Sequence, residues 1–215
     1  MKKPSAVLLT VLLVLVASSN AQRVAAQSNA TWDKAYGGID GDGASSVVQT
    51  SDGGYAIAGY TASFSFSSLD FWLAKTDASG NALWNKTYGG TLDDHAYSVV
   101  QTFDGGYAIA GHTRSFGAGG YEFWLVKTDA NGNSLWNKTY GGIGDDRAYS
   151  VVETSDGGYA LAGQTTSYGA GNTDFWLVKT DVSGIPEFPA SLLITIVPLF
   201  AATLFFRKKL LKPRK

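Results

Sequence analysis

Six aspartates form three pairs that recur along the chain, each just after a Tyr-Gly-Gly triplet. Paired carboxylates in glycine-rich loops offer the oxygen ligands that calcium prefers. Aspartates in such loops also commonly accept hydrogen bonds from nearby backbone N–H groups. Three interpretations therefore stay open: a calcium site, a site for another ligand, and local capping that binds nothing. The residues are Asp40, Asp42, Asp93, Asp94, Asp145 and Asp146.

Motifs for covalent or hydrolytic chemistry are absent from the sequence. It contains no cysteine, no Gly-x-Ser-x-Gly elbow, no His-Glu-x-x-His and no phosphate-binding loop. His95 and His112 occupy positions that carry other residues in the neighbouring copies of a repeat described below, which predicts surface variation rather than an acid–base pair. We expect a protein that is not an enzyme and that needs no cofactor, with calcium as the one candidate ligand ion.

Two further sets of side chains suggest surface chemistry. Phe64, Phe66, Phe116 and Tyr168 lie in Gly/Ser-rich loops, where exposed rings could stack on sugars or hold a protein partner. Asn-x-Thr sequons predict glycosylation in an exported protein, although chance recurrence within a repeat is equally consistent. The sequon asparagines are Asn29, Asn85 and Asn137.

An internal repeat of about 52 residues positions all these side chains. Trp-x-Lys-x-Tyr-Gly-Gly begins at Trp32, Trp84 and Trp136, which divides the region 27–184 into repeats 32–83, 84–135 and 136–184. Each copy continues with Ser-Val-Val-x-Thr, Asp-Gly-Gly, Tyr-Ala-x-Ala-Gly, a loop, and Phe-Trp-Leu-x-Lys-Thr-Asp. Asp-Gly between β-rich runs is a strong hairpin signal. The pattern predicts an all-β fold with four short strands per repeat.

The Phe-Trp-Leu-x-Lys-Thr run is apolar on both faces, which is typical of a strand buried between stacked sheets. Repeats of this size suggest propeller blades, although closed propellers usually have at least four. The first Trp-x-Lys-x-Tyr segment has no partner in its own repeat, and the third repeat lacks its last strand. We expect the first segment to complete the last sheet as the twelfth strand. The predicted fold is β-propeller-like: open, unusually small, or completed by homo-oligomerisation.

Both ends of the chain predict export and anchoring. Residues 1–26 have two lysines, a short apolar run and small residues, which is typical of a signal peptide. Residues 190–206 carry no charge and are just long enough for a transmembrane helix. The basic tail 207–215 predicts a cytoplasmic C-terminus. We expect a single-pass protein of the cell membrane whose repeat domain is extracellular.

Two resemblances accompany these patterns. The Asp-x-x-Gly-x-x-x-Trp turn before each later Trp strand resembles blade repeats of pyrroloquinoline-quinone-type propellers, without the cofactor residues of that enzyme class. Residues 185–189, Ile-Pro-Glu-Phe-Pro, with the apolar run and basic tail, resemble the PEF-type C-terminal sorting signal of archaeal surface proteins. That resemblance implies Pro186, Glu187 and Phe188 as the sorting motif. It also implies a sorting transpeptidase, an archaeosortase, that transfers the protein to a membrane lipid, although the longer basic tail leaves simple anchoring open.

The distribution of charge along the chain limits the classes of partner that we expect. All 18 acidic residues, but fewer than half of the 17 basic residues, lie between residues 33 and 187. An acidic body repels nucleic acid. The sequence thus predicts a non-catalytic binding or envelope scaffold at the cell surface, with an unidentified extracellular glycan or protein as ligand. The alternative is an extracellular propeller enzyme acting on polysaccharide.

Overall fold

The computed structural model describes residues 32–66 and 68–187, and this part of the chain is all-β without a helix. It contains eleven strands. Their bounds are β1 (Asp42–Gln49), β2 (Tyr55–Thr61), β3 (Asp70–Thr76), β4 (Ala82–Tyr88), β5 (Asp94–Gln101), β6 (Tyr107–Thr113), β7 (Glu122–Thr128), β8 (Ser134–Tyr140), β9 (Asp146–Glu153), β10 (Tyr159–Thr165) and β11 (Asp174–Thr180).

The strands form three separate antiparallel sheets. Sheets 1 and 2 each combine three strands of one repeat with the Trp strand that begins the next repeat. Sheet 1 has the order β1-β2-β3-β4, sheet 2 the order β5-β6-β7-β8, and sheet 3 the order β9-β10-β11. The predicted all-β class and the four strands per repeat are confirmed for sheets 1 and 2. Within each sheet consecutive strands are neighbours, because each is joined to the next by a short hairpin or loop.

The Asp-Gly-Gly turns join the first two strands of each sheet and are tied to the third. In sheet 2, Gly105 adopts a φ of 82°, a left-handed value that glycine tolerates best. The Asp104 carboxylate accepts a hydrogen bond from Gly106 N–H at 3.0 Å and pairs with Lys127 Nζ at 2.8 Å. Burial would raise the pKa of Asp104, but its bonds to Lys127, Thr102 and Gly106 together lower that pKa to about 2. The lysine of Phe-Trp-Leu-x-Lys-Thr thus locks the hairpin.

Two hydrophobic clusters lie between the sheets. The cluster between sheets 1 and 2 includes Phe71 and Leu73 on one side and Val99 and Trp124 on the other. The Phe71 and Trp124 rings meet edge to face, with centroids 4.5 Å apart. An equivalent cluster, including Phe123 and Leu161, lies between sheets 2 and 3. Each internal sheet face is therefore covered by the next repeat, as the apolar third strand predicts.

The same hydrogen bonds cross both interfaces. Tyr88, which ends sheet 1, donates its hydroxyl to Gly132 O in sheet 2 at 2.7 Å. Tyr140, which ends sheet 2, donates to Gly184 O beyond β11 at 2.8 Å. The Tyr36 hydroxyl makes this bond to Gly80 O in sheet 1 at 2.7 Å. The tyrosine of Tyr-Gly-Gly thus fixes how each sheet sits on the preceding segment.

The expected closure by a twelfth strand is wrong. Residues 32–38 form no strand, sheet 3 has three strands, and the sheets are not closed into a ring. Three sheets in a ring would each have to turn by about 120° from the last, whereas closed propellers use at least four blades. Face-to-face packing covers the internal faces, and the stack stays open.

The predicted terminal segments lie outside the described residues. This holds for the signal peptide 1–26, the apolar run 190–206 and the basic tail 207–215. Among the residues that are described, no helix is long and apolar enough to cross a membrane.

The interface between sheets 2 and 3 allows a matched pair of substitutions. Leu125 is fully buried there, whereas Leu177, its equivalent on the open face of sheet 3, is 64% exposed. Leu125→Ala should lower the free energy of unfolding by about 2–5 kcal/mol, because it removes buried methyl groups and leaves a cavity. Leu177→Ala should lower it by less than about 1 kcal/mol. Denaturant unfolding at low protein concentration would measure both, and equal losses would contradict the stacked-sheet core.

Candidate functional site

The second aspartate of each acidic pair caps a backbone N–H of its own loop and hydroxyls at the end of the second strand of its sheet. The Asp146 carboxylate accepts hydrogen bonds from the hydroxyls of Thr165 and Ser167, the latter at 2.7 Å, and from Gly142 N–H at 3.0 Å. Asp42 accepts the equivalent set in repeat 1. Among the three interpretations of the acidic pairs, this geometry supports local capping. The aspartates concerned are Asp42, Asp94 and Asp146.

These bonds change the acidity of the Asp42 carboxyl group. Burial alone would raise its pKa, but hydrogen bonds from Thr61, Gly38 and Ser63 together lower it to about 2. A carboxylate that already accepts several donors is well satisfied without a cation.

The first aspartate of each pair has fewer partners. Asp40 is exposed, whereas Asp93 and Asp145 are half-buried. The Asp93 carboxylate accepts a long hydrogen bond from Leu69 N–H at 3.4 Å, and that of Asp145 pairs with Arg147 at 3.2 Å. Within residues 32–66 and 68–187, no three acidic or histidine side chains lie close enough together to hold a metal ion.

Buried acidic residues also meet between the sheets, which the sequence did not indicate. Asp70 lies beside Asp94, and a Cβ built on Gly89 would come within 2.0 Å of the first carboxylate and 2.9 Å of the second. Glu122 and Asp146 converge in the same way over Gly141. The first glycine of Tyr-Gly-Gly is therefore needed because carboxylates approach its Cα closely.

The carboxyl groups of each pair could share a proton, but a substrate could not reach them in this structure. Burial, reinforced by the neighbouring Asp94 charge, raises the pKa of Asp70 to about 6. Burial also raises the pKa of Glu122. All four side chains are buried, which blocks the approach that general acid–base catalysis requires.

The histidines lie in an aromatic cluster, so their predicted surface placement is wrong for His112 and only partly right for the half-buried His95. His112 is 7% exposed and its ring packs against Tyr121 at 4.6 Å between centroids. The His95 ring stacks on Tyr97 at 4.5 Å. Arg147 lies over the Tyr121 ring at 4.0 Å. The loop residue Tyr121 covers the His112 ring, and the repeat pattern does not predict this contact.

Burial disfavours the charged form of both histidines in the cluster. Burial, with smaller contributions from His95 and Arg147, lowers the pKa of His112 to about 4, and burial lowers that of His95. Both rings are therefore neutral at pH 7. Their centroids are 5.8 Å apart.

The aromatic rings of the Gly/Ser-rich loops are exposed, as predicted. Phe64, Phe116 and Tyr168 are each about half exposed, and each packs one side on the tryptophan of its own repeat, with centroids 5.1–5.4 Å apart. Phe66 is almost fully exposed. The tryptophan contact holds each of the three repeated rings in a fixed orientation, which suits stacking on a sugar face.

The sequon asparagines that the structure describes, Asn85 and Asn137, are exposed on β4 and β8. Asn137 Oδ1 accepts a hydrogen bond from Trp124 Nε1 at 3.2 Å. Asn29 lies outside the described residues.

The start of the predicted sorting motif lies against sheet 3. Pro186 forms a bridge with Thr180, and Glu187 donates its N–H to Lys179 O at 3.0 Å while its carboxylate pairs with Lys179 Nζ at 3.0 Å. Pro186 takes the register position of Ser134 in repeat 2. Phe188 lies outside the described residues.

The buried Asp70 predicts an unusual pH dependence. Asp70→Asn should raise the free energy of unfolding at pH 7 by about 1–2 kcal/mol, because the folded state penalises the charged carboxylate above its raised pKa. The gain should shrink as pH falls from 6 to 4, and it should vanish once Asp70 is protonated in both folded and unfolded protein. Urea unfolding at a series of pH values would measure it.

Asp104→Asn is the matched control. Its carboxyl has a lowered pKa in the folded protein, so this substitution should destabilise at pH 7 and lose its effect as pH falls toward 2. The same sign for both variants would contradict the assigned environments.

Calcium gives a second check of the acidic pairs. Because the second aspartates already cap loop groups, we expect millimolar calcium to give no heat in calorimetric titration and no shift in thermal midpoint. A saturable heat that Asp93→Asn and Asp145→Asn abolish would restore the calcium interpretation.

Neither a scan of the chain against models of known protein families nor a search among curated proteins finds a match.

Proposed function

We propose that this chain is a non-catalytic scaffold of the cell surface, exported through its N-terminal segment and held at the membrane by its C-terminal segment. One observation supports the proposal that the protein is not a catalyst. Asp42, Asp94 and Asp146 cap nearby groups, Asp145 pairs with Arg147, and Asp70, Glu122 and His112 are buried within the stack. Near-identical repeats support it too, since a catalytic site requires one repeat to depart from the others.

The surface it would present is a row of aromatic rings. Phe64, Phe116 and Tyr168 recur once per repeat, each oriented by a tryptophan. Repeated rings at regular spacing suit a repetitive ligand, because several weak stacking contacts act together through multivalency. An extracellular glycan is the proposed ligand class.

Membrane location and topology can be tested on intact cells. We expect the full chain in the membrane fraction, with an epitope in the 115–120 loop destroyed by external protease. Leu12→Arg places a charge in the apolar run and should block export, so its epitope should survive. Intact mass should show loss of the first 26 residues, or 21 with the alternative cleavage site. Protection of the unsubstituted protein would overturn the topology.

Glycan binding and turnover separate the scaffold from an enzyme acting on polysaccharide. On a glycan array we expect binding without product release, and Phe116→Ala should weaken it by about tenfold through the lost stacking contact. Phe103→Ala, an exposed ring on an Asp-Gly-Gly turn, is the control and should bind normally. Release of oligosaccharide would favour the enzyme, and absence of both binding and release would leave a purely structural envelope role.

A further inference from the structure

Each end of the described stack has an apolar face that no further sheet covers. The head face belongs to sheet 1 and includes exposed Val47, half-buried Ile57 and Trp72, and buried Ala74. The tail face belongs to sheet 3 and includes Val152, Ala160, Ala162, Phe175 and Leu177. In the interior of the stack, the equivalents of these residues form the two hydrophobic clusters.

The tail face has the same residues as a buried face. Phe175 is 86% exposed, whereas its equivalents Phe71 and Phe123 are fully buried against the next sheet. The groove beside Phe175 on this face, lined also by Ser150 and Gln164, measures about 350 Å³. Repeat 3 carries no polar substitution at these five positions, although a sheet face that contacts solvent usually carries polar residues.

The head face is the complementary half. Val47 is 62% exposed, whereas its equivalents Val99 and Val151 are buried against the preceding sheet. A second cavity, of about 60 Å³, lies on this face between Trp72, Ile57 and the Tyr36 side chain, which covers part of the face. The head face therefore has the residues that receive a sheet at both internal interfaces.

Polar partners recur across the internal interfaces in register. Ser46 Oγ accepts a hydrogen bond from Val99 N–H at 3.3 Å, and Ser98 Oγ accepts one from Val151 N–H at 3.2 Å. By the same register, Ser150 on the tail face would accept one from Val47 N–H on a head face. The two free faces therefore match in hydrogen bonding as well as in apolar surface.

The turns repeat this complementarity. Gln101 Oε1 accepts a hydrogen bond from Ser51 N–H, and Glu153 accepts one from Phe103 N–H, each at 2.7 Å. The corresponding groups at the two ends are Ser155 N–H at the tail and Gln49 Oε1 at the head, where Gln49 Nε2 donates to Gly53 O as Gln101 Nε2 does to Gly105 O. Tyr36 also already occupies, relative to sheet 1, the place that Tyr88 takes relative to sheet 2.

We infer that the tail face binds the head face of a second copy of this chain, and that this contact reproduces the internal sheet-to-sheet interface. The contact is head-to-tail, so it closes into a ring if two copies complete the turn and otherwise continues as a filament. A symmetric tail-to-tail contact would bring Ser150 against Ser150 and would match neither set of hydrogen bonds. The inference goes beyond the proposed scaffold function and rests on the sheet faces alone.

Disulfide trapping tests the contact in the full chain, which contains no cysteine of its own. The double variant Val47→Cys/Ser150→Cys, purified in detergent and oxidised with copper phenanthroline, should run as dimers or larger multiples on a non-reducing gel. Ser98→Cys/Val151→Cys is the positive control, because the same positions face each other inside one chain and should oxidise without changing the size.

The single variants decide the direction of the contact. Neither Val47→Cys nor Ser150→Cys alone should give more than about a tenth of the cross-linked product. Efficient dimerisation of Ser150→Cys alone would overturn the head-to-tail arrangement. A double variant that stays monomeric while the positive control oxidises fully would overturn the inference.

A charge on the tail face gives a second measure. Phe175→Glu, in the double-cysteine background, should reduce cross-linked product at least tenfold, while circular dichroism and thermal midpoint stay those of a folded β protein. Phe66→Glu adds the same charge to an exposed ring on a loop and should leave the yield unchanged. Mislocalisation of the protein in cells would refute the proposed function and leave this result standing.

Discussion

No sheet in this molecule can cover its own two apolar faces, and the rest of the structure depends on that constraint. The third strand of each repeat is apolar on both sides, so a lone repeat would expose about half of its would-be core. Stacking the next repeat on it buries Phe71 and Leu73 against Val99 and Trp124. Stability therefore resides between repeats, as in other quasi-linear arrays whose units contact only their neighbours.

Apolar contact alone would let the sheets slide, and polar groups set their register. The Tyr88 hydroxyl reaches a single carbonyl in the next sheet, and Ser46 reaches a single N–H. Buried carboxylates such as Asp70 destabilise the stack, because their charged form loses solvation and lies beside a like charge. Their raised pKa is consistent with a cost in stability that the surrounding packing offsets.

The strands could be predicted because their signals are local. The Asp-Gly-Gly turns and the apolar Phe-Trp-Leu runs gave the correct hairpins and the buried third strand. Closure could not be predicted, because it depends on the angle between sheets, which no short motif encodes. His112 was misplaced for a related reason: the rings of Tyr97 and Tyr121 pack against it, and Tyr121 belongs to a loop whose sequence differs between repeats. The pairing of Asp70 with Asp94 likewise arises only once neighbouring sheets meet.

The lysine–aspartate lock of the hairpin has a consequence for how such a chain can change over generations. Lys127 and Asp104 belong to the same repeat, so the lock travels with any duplicated segment. Several contacts to neighbours also recur at both interfaces, such as the hydroxyl bonds of Tyr88 and Tyr140. A gene that gained or lost one segment of about 52 codons would thus still encode well-matched junctions. The number of repeats can therefore change without compensating substitutions at the junctions.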